Sequence, residues 1–251
     1  MNVGMDSMTK RSITLNCDMG ESFGSWRMGN DEAVMPWVDM ANIACGFHAS
    51  DPQIMSNTIK LAIEHDTQIG AHPSYPDLQG FGRRSIPMAT EEITNMLIYQ
   101  VGALKSLAES HNAQIGYVKP HGALYNDMMR DISIFDAVAD AVSCFDVPLM
   151  MLAINDSEKH LDIADKYELP VLFEAFADRA YLSNGSLSPR SMPGAVLHKE
   201  EDILDQIKQI VHYGKVRTID GFLIPIEADT ICVHGDNEHA IKMIQKIRNV
   251  L

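Results

Sequence analysis

Seven short runs of Ile, Val, Leu and Met recur along the chain, each followed by a longer stretch of helical period. The runs are 12–18 (SITLNCD), 41–46 (ANIACG), 68–72 (QIGAH), 115–121 (IGYVKPH), 148–154 (PLMMLAI), 170–175 (PVLFEA) and 229–235 (DTICVHG). A strand with one wet face alternates apolar and polar residues. These runs stay apolar over four to six positions, as strands buried on both faces do. Such strands, separated by helices, build a parallel sheet with right-handed crossovers. The sheet either stays open with helices on both faces or closes into a barrel, and in both cases ligands bind at the carboxyl ends of the strands.

The intervening stretches carry helix signals. Asp51-Pro52 makes an N-cap and first-turn pair, and Met55, Ile59, Ala62 and Ile63 follow as one stripe. Thr90 is expected to cap the next helix, with Glu91 and Glu92 in its first turn and Ile93, Met96, Leu97, Val101, Leu104 and Leu107 on one face. Further helical patterns cover 131–145, 156–167, 200–213 and 237–250, the last with Asn237 as its cap, and a short one fits near 30–38. The two longest stretches without a helical pattern, 73–89 and 176–198, are then loops at the carboxyl ends of strands and long enough to act as lids.

A chain of 251 residues can bury a sizeable core without disulfides. Residues 1–11 read as a short disordered lead-in, without the apolar core of a signal peptide, and 12–251 as one domain. The formal net charge of −14 argues against a nucleic-acid or anionic-membrane surface, which would need clustered Lys and Arg. No apolar stretch approaches the roughly 20 residues of a membrane span. Cys17, Cys45, Cys144 and Cys232 lie far apart with no CxxC pair, a poor disulfide or zinc framework, which suits a reduced, cytoplasmic protein.

The runs end unlike buried strands. Because side chains alternate, Asn16 and Asp18 share a face, as do Lys119 and His121, and His234 and Asp236. The second run leads into His48, the third ends in His72, the fifth in Asn155, and the sixth in Glu174 with Asp178 and Arg179 beyond. The amino ends show little of this. A lone histidine at a strand end is ordinarily a hydrogen-bonding structural residue. Four at equivalent positions, with Asp18, Glu174 and Lys119, point jointly to a polar ring at a catalytic face. Plainer readings exist for each. Asp18 could cap a turn before Gly20, Glu174 could pair with Arg179, and Lys119 could be a rim charge. Cys17, Cys45 and Cys232 read as core packing, although Cys45 and His48 could form a nucleophile pair. The loop GFGRRS (80–85) could hold a phosphate or carboxylate or be a tight exposed turn, and no Walker-type phosphate loop occurs.

The blocks LNCDMGESFG (15–24), ANIACGFHASDP (41–52), IGAHPSYPD (69–77), GFGRR (80–84), VKPHGALYN (118–126), FADRAY (176–181) and VHGD (233–236) closely resemble the LamB/YcsF family, from about residue 12 to the end and in unbroken order. The resemblance implies an α/β fold, a parallel (β/α)7 barrel of the glycoside hydrolase/deacetylase type. It also implies ATP-dependent opening of 5-oxoproline to glutamate, together with two partner subunits, B and C. That chemistry needs a base for water, a cation for the developing anion and a seat for the substrate carboxylate. Asp18 or Glu174 is the expected base, and His121 and Lys119 the expected anion stabilisers, with His234 in the same catalytic ring. Arg83 or Arg179 would hold the carboxylate, with Asn16, Asn155 and Asp236 as further substrate or phosphate contacts. Barrels of the deacetylase type use an Asp/His/His metal set, so Asp18, His48 and His72 form an alternative site for a divalent ion. Two other functions stay open: a metal-dependent amide or sugar deacetylase acting alone, and a non-catalytic subunit that binds 5-oxoproline.

Overall fold

Strands apolar on both faces need cover on both faces, and here the chain supplies it by closing on itself. The computed structural model describes residues 13–233 and 238–251, with backbone alone for 238–240; the expected lead-in at 1–11 and the candidates His234, Asp236 and Asn237 lie outside the described residues. In chain order the elements are β1 (Thr14–Met19), α1 (Asp31–Val34), β2 (Met40–Ala44), α2 (Pro52–Glu64), β3 (Gln68–His72), α3 (Thr90–Ser110) and β4 (Ile115–Val118). They continue with α4 (Gly122–Arg130), α5 (Ile132–Ser143), β5 (Leu149–Leu152), α6 (Glu158–Lys166), β6 (Val171–Phe176), α7 (Glu200–Tyr213), β7 (Lys215–Arg217), β8 (Leu223–Pro225), β9 (Thr230–Val233) and α8 (Glu238–Arg248). Strands β1 to β6 and β9 pair in that order as a closed barrel, every pairing parallel, and β9 returns to β1. Each of the seven apolar runs supplies one barrel strand.

Two apolar layers follow from the pleat. Outward residues such as Leu15, Cys17, Ile43, Ile69, Val118, Met151 and Ile231 join the helix stripes in one continuous core between barrel and helices. Met40, Tyr117 and Met150, with the partly buried Leu172, form a separate small cluster that plugs the barrel interior. The plug depends on Gly70 of β3, where a Cβ would lie 2.1 Å from Cζ of Tyr117. Above the plug the inward residues turn polar, with Asn16, Asn42, Glu174 and Thr230 all buried.

Three local features differ from the sequence expectations. Ala89, not Thr90, holds the cap position of α3, and its N–H is taken by Glu92 Oε2 at 2.8 Å, the return half of a capping box. Helix α4 is absent from the sequence expectations. It starts directly after His121, at a glycine with φ of 59°, so its short stripe of Ala123, Leu124 and Met128 is masked by the polar strand ending. The antiparallel pair β7–β8 is three residues long on each side, too short to show a period.

No helix among the described residues is long and apolar enough to cross a membrane. Replacing Gly70 by Ala should destabilise the fold by about 1–3 kcal/mol, the usual cost of overpacking. Pairing it with Tyr117→Leu should recover part of the loss, as read by denaturant unfolding of both variants.

Candidate active site at the barrel mouth

The polar layer is organised around the Lys119 ammonium, which stands just past the end of β4 and is 3% exposed. Its Nζ lies 2.7 Å from Glu174 Oε1, 3.1 Å from Asp18 Oδ1, 3.2 Å from Asn16 Oδ1 and 3.3 Å from Cys232 Sγ. An ammonium has three hydrogens, so four acceptors saturate it. Glu174 is wholly buried, and its second oxygen accepts from the Tyr125 hydroxyl at 2.7 Å. Asn42 divides its two amide hydrogens between Asp18 Oδ1 and Asn16 Oδ1, both at 2.8 Å, while its own carbonyl oxygen accepts from the Tyr117 hydroxyl at 2.6 Å. Asn16 donates in turn to Thr230 Oγ1.

Nearer the mouth three imidazoles meet. A carbonyl oxygen can only accept, so His72 carries its proton on Nδ1, 2.6 Å from Lys119 O, and His121 carries its own on Nε2, 2.9 Å from Phe81 O. The Ser74 hydroxyl gives its proton to Tyr75 O, which leaves Ser74 Oγ to accept from His48 Nδ1 at 3.0 Å. The remaining nitrogens, His48 Nε2, His72 Nε2 and His121 Nδ1, therefore present lone pairs. With Glu21 these residues offer ligand atoms that all lie within 4.8 Å of one another. His72 Nε2 and His121 Nδ1 face each other at 2.9 Å, an opposition of lone pairs that a shared proton or a cation relieves. His48 and His121 stack, with ring centroids 3.8 Å apart. Glu21 Oε1 is 3.2 Å from His48 Nε2, and Asp18 Oδ2 is 3.3 Å from His72 Nε2.

Electrostatics set the protonation states. Burial would push the Asp18 carboxyl up, but His72 and Lys119 beside it outweigh burial and hold it well below the usual carboxylate range. Burial lowers the His121 imidazole to about 3, helped by His72, and takes His48 well below its ordinary value. Both rings are neutral at physiological pH, as ligands must be. Burial favours a neutral Lys119, but Asp18, Cys232 and Glu174 reverse this and raise it well above its ordinary value. Burial pushes the Cys45 thiol up to about 12 and the Cys232 thiol well up, so neither is a thiolate nucleophile and the Cys45–His48 pair is set aside.

The structure gathers Asp18, Lys119, His121, Glu174, His48, His72 and Asn16 in one place and gives them distinct tasks. Glu174 and Asn16 are wholly buried and fully engaged inside the barrel, so neither faces a water or substrate at the mouth. Lys119 has no hydrogen left for a developing anion. Glu174 pairs with Lys119, not Arg179. Arg179 instead donates to Ser188 O at 2.7 Å and Ala195 O at 3.4 Å, pinning the long loop after β6, and burial with the nearby Arg190 lowers its pKa to about 10. Asn155 is exposed beyond β5, with no described hydrogen bond to the cluster. Arg83 is exposed at the mouth, its guanidinium 5.0 Å above the Phe81 ring. Around His48 and His72 the imidazole-and-acid group differs from the expected set: Glu21 and His121 complete it, while Asp18 is committed through Oδ1 and touches it only through Oδ2. Glu21 escapes a sequence reading because it lies past the strand end, in the turn after Gly20.

A closed parallel seven-stranded barrel with an imidazole–carboxylate cluster at the carboxyl ends of its strands defines a class of barrel hydrolase and lyase scaffolds. Within that class the chain belongs to the LamB/YcsF family, whose profile matches residues 13–251. It is 67% identical over 244 residues to a Vibrio cholerae protein named as the A subunit of 5-oxoprolinase, covering 97% of this chain and 99% of that one. A Pseudomonas aeruginosa protein that bears the same name is 49% identical over 97% of this chain and 98% of its own length. The crystal structure of a lactam utilization protein from Thermus thermophilus superposes with a TM-score of 0.87 at 38% identity, covering 95% of each chain.

Replacing Lys119 by Met should leave two buried carboxylates without a cation and cost about 3–5 kcal/mol of stability. Adding Glu174→Gln should recover part of that loss in the same denaturant titration, because one of the orphaned charges is then gone.

Proposed function

We propose that this chain is one component of an ATP-dependent 5-oxoprolinase, opening 5-oxoproline to glutamate together with two partner subunits, B and C. The observation that carries the reading is the meeting of three neutral, tautomer-fixed imidazoles with Glu21, beside an ionised Asp18, at the open end of the barrel. The names of the relatives above supply the substrate and imply further subunits.

A lactam is a stable amide, and its carbonyl must be activated. In this reading the lactam oxygen attacks the γ-phosphorus of ATP and ADP leaves. Water then adds to the activated carbon, phosphate departs and the ring C–N bond breaks, its nitrogen taking a proton. Asp18 Oδ2 orients the attacking water and accepts its hydrogen, held in place by Asn42 and Lys119 on the other oxygen. Arg83 receives the substrate carboxylate or the new phosphate as a bidentate cation. His48, His72, His121 and Glu21 fit a divalent ion, since each imidazole is neutral and has its second nitrogen oriented by an acceptor. Such an ion would polarise the carbonyl and lower the pKa of a bound water.

The same cluster favours one other reading, metal-dependent hydrolysis of an acetylated amide or sugar by the chain alone. The deciding experiment is glutamate release from 5-oxoproline, with and without ATP and with and without the partner subunits. Release that requires all components, and falls on chelation, supports the proposal; ATP-independent deacetylation by the lone chain supports the rival. In the assembled complex Asp18→Asn and His121→Ala should each lower kcat by about 10²–10⁴-fold. A complex left fully active by both would make this chain a binding subunit only.

A further inference from the structure

Phe81 belongs to no part of the chemistry above, yet it is the residue on which three parts of the mouth converge. Its backbone has φ of 55°, in the left-handed region that an aromatic residue rarely adopts. Its carbonyl accepts the His121 Nε2 hydrogen, which turns the Nδ1 lone pair inward. Its ring stands edge-on to both stacked imidazoles, at 5.4 Å from His48 and 5.1 Å from His121, with interplanar angles of 86°. The outer side of the same ring carries the Arg83 guanidinium.

The surrounding loop is built to hold this conformation. Asp77 binds Gly80 N and pairs with Arg84, and Gly82 N donates to Asp77 O at 2.9 Å. Gly82, at φ of 63°, lies so close to the cluster that a Cβ there would sit 2.8 Å from His121 Cδ2 and 2.9 Å from His48 Cβ. Its carbonyl takes the N–H of Ala123, in the first turn of α4. A loop clamped at both ends can sustain a strained residue between them, and strained residues of this kind collect at functional sites.

We propose that Phe81 is the positioning residue of the site: through its carbonyl it fixes the His121 tautomer, and through its ring it seats Arg83 over the imidazole stack to meet the anionic group of the substrate. The Arg83 half of this rests on the 5-oxoprolinase reading, whereas the His121 half does not. A guanidinium on an aromatic face is held by the ring quadrupole, and its entropy of ordering is met before the ligand arrives.

Two measurements test the two halves. In the isolated, chelator-treated chain labelled with ¹⁵N-histidine, NMR should show His121 with its proton on Nε2. Phe81→Gly, which relieves the backbone and removes the ring, should give a mixture of tautomers with His72 unchanged; a His121 spectrum identical to wild type overturns the proposal. In the assembled complex, Phe81→Leu and Arg83→Met should each raise the KM for 5-oxoproline about tenfold, with kcat within about twofold. The double variant should be no worse than either single one, because both remove the same seat. Additive effects, or a loss confined to kcat, overturn the seat. If the wild-type complex releases no glutamate, the 5-oxoprolinase reading fails and the NMR comparison still decides whether Phe81 positions His121.

Discussion

A lysine ammonium enclosed by a barrel is the constraint from which the rest of this site follows. Taking a charge out of water costs several kcal/mol, and only close counter-charges with good geometry offset it. Lys119 has two, Asp18 of β1 and Glu174 of β6. Their positions fix those of the neighbours: Asn42 and Asn16 complete the acceptors, and Tyr125 satisfies the far oxygen of Glu174. The network thus joins β1, β2, β4, β6, β9 and α4 by polar contacts in the one region where the apolar plug does not reach. The same ammonium, with His72, keeps Asp18 ionised although one of its oxygens is turned to the mouth.

Much of the architecture was legible because it depends on periodicity. Strands buried on both faces cannot alternate, and the seven unbroken apolar runs each became one barrel strand. The polar endings were legible for the same reason, since a buried strand has no cause to finish in Lys-Pro-His. What could not be read was which polar groups face outward to chemistry and which face one another. Glu174 and Asp18 look equivalent as strand-end acids, yet one is wholly buried against Lys119 and Tyr125 while the other reaches the imidazoles. That difference is a matter of depth along the barrel axis, set by strand stagger.

Residues whose role comes from loop geometry were equally hidden. Glu21 enters the cluster because the chain turns at Gly20 beyond β1, and Phe81 because a clamped turn points its carbonyl at His121. Neither carries a periodic signal, and Phe81 in sequence is one more aromatic residue between two glycines. Arg179 shows the converse. Its place beside a strand-end acid suggested a substrate contact, but its guanidinium is spent on the carbonyls of its own loop.

The orientation of the three imidazoles shows how these parts combine. Each ring is held by an acceptor from a different source: the backbone of Lys119 for His72, the hydroxyl of Ser74 for His48, and the carbonyl of Phe81 for His121. With every outer nitrogen protonated, the inner ones are left as lone pairs, and burial keeps those of His48 and His121 so. The Lys119 carbonyl matters as much as its ammonium here, because one residue anchors the carboxylates from below and orients His72 from the side. A site in which electron pairs are gathered and protons directed away is prepared for a cation or a shared proton before either arrives, which is what preorganisation means in physical terms.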